Sequence, residues 1–165
     1  MKVPDAFLTE FVRVARSKVG TREVGTNGGS AVRAFQSATW LEPGSWAWCA
    51  AFICWVWMTA ALRFPEMMRI RPTTPRAAEF VTFAKKHGFQ FVTGSACKSW
   101  VPQVGDIVVY RFPRGHHVGI VDAPLVNGSF YAIEGNTDAE GSREGDGVWH
   151  KQRNFQYVAA FIRLI

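Results

Sequence analysis

The segment from residue 46 to 62, WAWCAAFICWVWMTAAL, contains no charged residue, no glycine and no proline. Such a stretch predicts either a membrane span or a helix buried at the centre of a domain. Its length is at the lower edge of what crosses a bilayer, where about 20 residues are usual. Its tryptophans lie along the first two-thirds of the segment, whereas interfacial belts place them at both ends. We therefore predict a central buried helix. The alternative, a small membrane-attached protein, would need detergent once purified.

Length and composition are those of one folded domain. The chain has 165 residues, of which 48% are apolar and 19% charged, so disorder is not expected. The net charge of +6 favours polyanionic surroundings such as nucleic acid, anionic lipid or an acidic cell-wall polymer, but charge alone does not choose among them. Charged residues such as Asp5, Glu10 and Arg13 interrupt the N-terminus, so no signal peptide is predicted.

Helical spacing dominates the first half of the chain, and short apolar runs dominate the second. Helices are predicted over 5–19, with Asp5 as a candidate cap, over 31–38 and over 77–87. The proline-rich segment 63–76 is predicted to be a connection. Strands are predicted at FQFV, DIVVY, VGIV, FYAI and VAAFIRLI, with turns such as PQVGD and GSREGDG between them. Helices first and strands second predict an α+β fold with four to six antiparallel strands.

Cys49 is the cysteine with the most informative position. The turn LEPGS precedes the apolar helix, Ser45 is a candidate N-cap, and Cys49 falls within about a turn of the helix start. Unpaired N–H groups and the helix dipole favour an anion there, and a thiolate is an anion. Cys54 lies roughly 140° further around the helix, so we predict that it is a core residue. Cys97, in the loop SACKSW, has no predicted role. A buried structural thiol remains the alternative for any lone cysteine.

A thiolate nucleophile needs an imidazole and a group that orients it. His116 and His117 open the strand VGIV, and one of them could meet Cys49 if that strand flanks the central helix. Glu134 and Asn136, in YAIEGN, are two residues apart and so share a strand face. Either could accept a hydrogen bond from the histidine ring. Each feature alone is weak, but their order together predicts a cysteine–histidine active site.

This order and the local sequences resemble the CHAP family, the cysteine- and histidine-dependent amidohydrolases and peptidases of the papain-like group. The matching stretches are WAWCAAFICW (46–55), VGDIVVY (104–110), GHHVGIV (115–121), IEGNT (133–137) and GDGV (145–148). In addition, REVGTNGG (22–29) resembles the loop that opens single-domain phage lysins. The resemblance covers nearly the whole chain. It implies a papain-like α+β fold in which N-terminal helices and a central cysteine-bearing helix pack on a C-terminal antiparallel sheet of four to six strands. It also implies that residues 1–165 form one catalytic domain, without a separate wall-binding domain.

The resemblance assigns a role to four residues. Cys49 is expected to be the nucleophile and His117 the general base and acid. Glu134 is expected to orient the histidine, with Asn136 beside it as a polar support or second orienting group. Calcium-binding members of the family carry paired aspartates before the cysteine. In this chain the corresponding region, SATWLEPGSWAW (37–48), contains Glu42 as its only acidic residue. We therefore expect no metal, and we expect no cofactor.

The function that the resemblance implies is hydrolysis of an amide bond in bacterial peptidoglycan. The bond is either the lactyl amide between muramic acid and L-alanine or a peptide bond of the stem or cross-bridge. The expected setting is a phage endolysin, held in the host cytoplasm until it is released to the periplasm and cell wall. We expect a monomer that binds peptidoglycan, without nucleic acid and without stable membrane insertion. The alternatives are a type VI secretion amidase effector, a cytosolic papain-like amidohydrolase with a non-wall substrate, and a papain-like domain that binds wall peptide without cutting it.

Overall fold

Helices occupy the first half of the chain and strands the second. The computed structural model describes residues 3–138 and 145–165. The α-helices are α1 (Asp5–Arg16), α2 (Ser30–Gln36), α3 (Cys49–Ala60), α4 (Pro65–Arg69) and α5 (Phe80–His87), with 3-10 turns at Ala61–Arg63, Ala77–Glu79 and Gly94–Ser99. The strands are β1 (Gln90–Thr93), β2 (Ile107–Phe112), β3 (Gly115–Val126), β4 (Ser129–Thr137), β5 (Gly147–Arg153) and β6 (Val158–Arg163). This order confirms the predicted α+β class.

All the strands of the described residues lie in one six-stranded sheet, in the order β1-β6-β2-β3-β4-β5, and every neighbouring pair is antiparallel. The prediction of four to six antiparallel strands is therefore confirmed. The strand β5 was not predicted, because its segment VWHKQR carries too few apolar residues to stand out as a strand beyond the motif GDGV. In the predicted turn GSREGDG, residues 141–144 lie outside the described residues.

The helix α3 lies at the centre of the fold. It contacts α1 and α2 on one side and β3 and β4 on the other. Phe7 of α1 packs on Trp57, with ring centroids 5.0 Å apart, and Phe35 of α2 packs on Phe52 at 5.3 Å. Because partners surround the helix, its sequence is apolar on every side. This arrangement confirms the predicted central helix. Across the described part of the chain, no helix is both long enough and apolar enough to span a bilayer.

Gly135 lets α3 approach the sheet closely. A β-carbon at this position of β4 would lie 2.8 Å from the Cβ of Phe52 and 2.8 Å from the ring of Trp48. Any larger residue would therefore push the two elements apart. The close approach brings the first turn of α3 next to the end of β4.

Two predicted helix caps are wrong. The helix α1 begins at Asp5 itself after Pro4, and no side-chain hydrogen bond caps it. Ser45 does not cap α3, because the residue that flanks the helix is Trp48, whose backbone is non-helical at φ −113° and ψ 16°. The hydroxyl of Ser45 instead donates to the carbonyl of Thr26 at 3.2 Å.

Other element limits shift by a few residues. The helix α1 ends at Arg16, three residues before the predicted end, and α2 covers Ser30–Gln36 instead of 31–38. The predicted connection 63–76 contains α4, which Pro65 favours because proline fits the first turn of a helix. The helix α5 ends as predicted, at Gly88, whose left-handed φ of 72° closes it.

Candidate active site

Cys49 is the first residue of α3 and is almost fully buried, with 5% of its surface exposed. The backbone N–H groups of a first helical turn have no partner within the helix, so they favour a negative charge at this position. The preceding residue, Trp48, is buried, and its indole N–H donates to the Glu23 carboxylate at 3.0 Å. The loop that carries Glu23 therefore fixes the residue next to the thiol.

His117 lies on β3 with its ring completely buried, whereas His116 is exposed. The alternation of a strand explains the difference, because neighbouring side chains point to opposite faces. The ring Nε2 of His117 lies 2.9 Å from Oε2 of Glu134 on β4. The Cys49 thiol is among the groups that raise the pKa of this ring, and the ring Nδ1 has no hydrogen-bond partner within residues 3–138 and 145–165. The structure thus brings together three of the four predicted site residues: Cys49, His117 and Glu134.

Glu134 is completely buried and has a second cationic partner. Arg153, at the end of β5, donates from Nε to Oε1 of Glu134 at 2.9 Å, and its Nη2 donates to Oε2. The Arg153 side chain is 13% exposed and spans from the site towards the surface. The carboxylate is therefore held by both of its oxygens, between a histidine and an arginine.

Interactions among the buried side chains set the charges of His117, Glu134 and Arg153. Burial alone would lower the pKa of His117, but the Glu134 carboxylate and the Cys49 thiol outweigh burial and raise it to about 9. Burial would likewise raise the pKa of Glu134, but His117 and Arg153 lower it to about 2. Burial also opposes the charge of Arg153, yet its hydrogen bonds to Glu134 raise the pKa of the guanidinium. At neutral pH the site therefore contains an imidazolium, a carboxylate and a guanidinium.

Asn136 lies near this group but does not join it. It is 1% exposed, and neither its amide nitrogen nor its amide oxygen makes a hydrogen bond within residues 3–138 and 145–165. The pairing of β4 with β5 is irregular between Glu134 and Thr137, and Asn136 has a left-handed φ of 56°. The regular alternation that would place Asn136 on the face of Glu134 is therefore interrupted. A buried amide without a partner is costly, which is typical of a functional position.

The other two cysteines lie in apolar surroundings. Cys54 is fully buried, its Sγ lies 3.4 Å from the carbonyl of Thr74, and burial raises the pKa of its thiol. Cys97, which had no predicted role, lies in a smaller apolar cluster with residues such as Phe130 and Phe161 on the sheet. Burial also raises the pKa of the Cys97 thiol. Both therefore behave as small core residues.

Two open spaces border the site. A cleft of about 370 Å³ is lined by residues that include Glu23, Thr26 and Asp146, and Glu23 also accepts the indole N–H of Trp48, the residue before Cys49. A cavity of about 170 Å³ lies on the side of Arg153, with Phe112 and Tyr157 in its wall. In the described ranges, no cluster of three His, Cys, Asp or Glu side chains could hold a metal ion.

Arg153 and Tyr110 belong to the site but were not predicted from the sequence. Tyr110 pairs directly with His117 across β2 and β3, with the two rings 5.9 Å apart. Burial, and then the charge of Glu134, raises the pKa of its phenol. The available signal for Arg153 was indirect: a buried carboxylate has two oxygens, and one histidine nitrogen satisfies only one of them. Finding the second partner requires the register of β4 with β5.

Comparison with known proteins identifies the family of this chain. The family model for the CHAP domain matches residues 41–136, which is more than half of the chain and includes Cys49, His117, Glu134 and Asn136. The chain therefore belongs to the CHAP domain family. No curated protein sequence matches it.

A solved structure is similar to the whole of this fold. It is the crystal structure of the wild-type endolysin LysIME-EF1, which matches with a TM-score of 0.57 and 18% sequence identity over 94% of this chain. At this identity the likeness is one of fold, and it confirms the predicted CHAP-type arrangement. The match covers 63% of the endolysin chain, so this chain spans less than two-thirds of that protein's length.

Proposed function

We propose that this protein hydrolyses an amide bond in bacterial peptidoglycan, with Cys49 as nucleophile and His117 as general acid and base. Membership of the CHAP family supports a cysteine- and histidine-dependent amidohydrolase or peptidase. The likeness to an endolysin structure and the net charge of +6 are both compatible with an acidic wall polymer as substrate. The bond is the lactyl amide to L-alanine or a peptide bond of the stem or cross-bridge.

The contact that carries this proposal joins His117 and Glu134. Their side chains are both completely buried and 2.9 Å apart, and the Cys49 thiol is among the groups that raise the pKa of the same histidine ring. A purely structural histidine rarely combines a buried carboxylate on one nitrogen with a thiol at a helix start. Because Nε2 contacts Glu134, Nδ1 is the ring nitrogen that serves the thiol and the substrate.

The reaction follows from these positions. The Cys49 thiolate attacks the amide carbonyl carbon, and the backbone N–H groups at the start of α3 stabilise the oxyanion. The C–N bond then breaks as the imidazolium of His117 gives its proton to the leaving amine, which leaves a thioester on Cys49. Water attacks the thioester, His117 takes a proton from that water, and the product carboxylate departs as the thiolate is restored. Glu134 holds the ring orientation throughout.

We propose a phage endolysin as the biological setting. The enzyme would remain in the host cytoplasm and reach the wall once the inner membrane is opened. An injected amidase effector would use the same chemistry. Neighbouring genes separate the two, because an endolysin gene accompanies holin and spanin genes, whereas an effector gene accompanies an immunity gene.

The direct test is release of dye-labelled fragments from purified Gram-negative sacculi under reducing conditions. The wild type should release label, and Cys49→Ala should release none. Cys54→Ala is the matched control, because it removes a thiol from the same helix at a core position. Release by Cys49→Ala at the wild-type rate would refute the proposed nucleophile, and intact sacculi with the wild type would refute the proposed substrate.

A further inference from the structure

Glu134 receives hydrogen bonds from two cations at once. Its Oε2 is shared between His117 Nε2 and Arg153 Nη2, while its Oε1 accepts from Arg153 Nε. The fork of the guanidinium matches the two carboxylate oxygens, and such pairs fix the plane of the carboxylate as well as its charge. With His117 as its only partner, the carboxylate would be free to turn about its last side-chain bond.

The surroundings of Arg153 hold the guanidinium in place. It lies over the ring of Tyr110 at 5.2 Å and over the ring of Phe112 at 5.6 Å. Tyr110 in turn stacks on His117, with an angle of 26° between the rings. The arginine and the histidine therefore share both a carboxylate and an aromatic neighbour. Any displacement of Arg153 would therefore change the position of the His117 ring.

We propose that Arg153 is a positioning residue for catalysis, which acts on Cys49 through Glu134 and His117. Arg153 holds the Glu134 carboxylate so that Oε2 faces Nε2 of His117. This fixes the tilt of the ring, and also its tautomer whenever the ring is neutral, and leaves Nδ1 for the thiol. The inference rests on the proposed roles of Cys49 and His117. The match of the CHAP family model ends at residue 136, so Arg153 lies outside the matched segment.

A structural role is the competing explanation, because an arginine between β4 and β5 would also stabilise the sheet. The chain offers a matched control for this role. Arg163 binds Asp106 in the same forked manner, with Nε–Oδ1 3.0 Å and Nη2–Oδ2 2.7 Å, and its side chain is 17% exposed against 13% for Arg153. It also lies over an aromatic ring, that of Trp100. Asp106 directly precedes β2, four residues before Tyr110.

The test compares Arg153→Met with Arg163→Met by three measurements that need no wall substrate. These are the melting temperature, the rate of iodoacetamide reaction with Cys49 at pH 7, and the NMR signals of the His117 ring. Both variants should lower the melting temperature. Only Arg153→Met should shift the His117 ring signals and slow alkylation of Cys49, by roughly tenfold to a hundredfold as for other side chains that orient a reactive group. Equal effects of the two variants on alkylation and on His117 would overturn the proposal.

Two further variants cover the case in which Arg153→Met does not fold. Arg153→Lys should give a rate of Cys49 alkylation between those of the wild type and Arg153→Met, because an ammonium does not reproduce the fork to both oxygens. Arg153→Ala opens space beside the cavity of about 170 Å³ that Arg153 already lines, so millimolar guanidinium chloride should restore alkylation of Cys49. Ammonium chloride at the same concentration is the matched control salt and should not restore alkylation. A folded Arg153→Ala protein that is alkylated at the wild-type rate, or one that is alkylated slowly and is not rescued by guanidinium, would contradict the positioning role.

The outcome also separates this inference from the proposed function. If the wild type leaves sacculi intact but Arg153→Met alone slows the thiol reaction, the substrate is wrong and the positioning role stands. If sacculi are degraded and Arg153→Met behaves like Arg163→Met, the function stands and the positioning role fails.

Discussion

Gly119 of β3 lies in close contact with Glu134 of the neighbouring strand β4. A β-carbon at residue 119 would stand 2.7 Å from Cγ of Glu134 and 3.2 Å from the carbonyl oxygen of Ile133. Real β-carbons do not approach other atoms that closely, so the glutamate occupies space that only a glycine leaves open. Gly119 is on β3, two residues after His117. The missing side chain thus lets the carboxylate of β4 reach the histidine of the neighbouring strand.

Gly119→Ala should therefore displace Glu134 and lower activity more than stability. We expect catalysis to fall by at least roughly tenfold, since loss of an orienting group usually costs this much or more. Turnover on sacculi, with circular dichroism to verify folding, checks the prediction. Wild-type turnover in a folded Gly119→Ala protein would mean that Glu134 does not need its observed position.

The site variants should form a graded series. Cys49→Ala and His117→Ala should each reduce turnover by at least roughly 10⁴-fold, whereas Glu134→Gln should leave a residual rate, lower by about 10²- to 10⁴-fold. His116→Ala is the neighbouring control, because His116 is exposed and should tolerate the change. An inactive His116→Ala together with an active His117→Ala would reverse the assignment.

Stability should depend on pH through the buried pair of His117 and Glu134. The pKa of His117 is raised from its ordinary 6.5 to about 9, so its contribution is complete below 6.5 and is lost as the pH rises through about 9. The pKa of Glu134 is lowered from 4.5 to about 2, so its contribution is complete above 4.5 and is lost as the pH falls towards 2. The free energy of unfolding, measured in urea, should be greatest between pH 4.5 and 6.5. Glu134→Gln should flatten both slopes, and an unchanged profile in that variant would show that other groups cause them.

The three cysteines should differ in reactivity. In the folded protein at neutral pH, iodoacetamide should label Cys49 first, because burial raises the pKa of the thiols of Cys54 and Cys97. Peptide mapping of the singly alkylated protein identifies the site. First labelling at Cys97 would contradict the account, and labelling at Cys54 would indicate that α3 opens under the conditions used.

Sequence patterns predicted the site where a role depends on local spacing. The uncharged stretch 46–62 indicated the central helix, and the break before it placed Cys49 near the helix start. The strand start at GHHVGIV (115–121) pointed to a histidine that could meet Cys49, although local spacing left His116 and His117 both open. Alternation along β3 separates the two, since it buries His117 and exposes His116.

Features that depend on tertiary contacts were not predictable. Ser45 has the right residue type for a helix cap, but its hydroxyl bonds to Thr26 in a distant loop, so the helix begins four residues later. Arg153 follows Glu134 by 19 residues, and only the pairing of β4 with β5 brings the two together. Regular alternation also misplaced Asn136, because a pairing irregularity and a left-handed backbone interrupt the strand there.

The most direct test of the central claim is mass spectrometry of the fragments released from purified Gram-negative sacculi under reducing conditions. The account predicts that the wild type and Cys54→Ala release new peptide ends and that Cys49→Ala releases none. Free stem peptides with an L-alanine amino end would identify an amidase, and shortened or uncrosslinked muropeptides would identify an endopeptidase. No release by the folded wild type, or the same fragments from Cys49→Ala, would contradict the claim that Cys49 hydrolyses peptidoglycan.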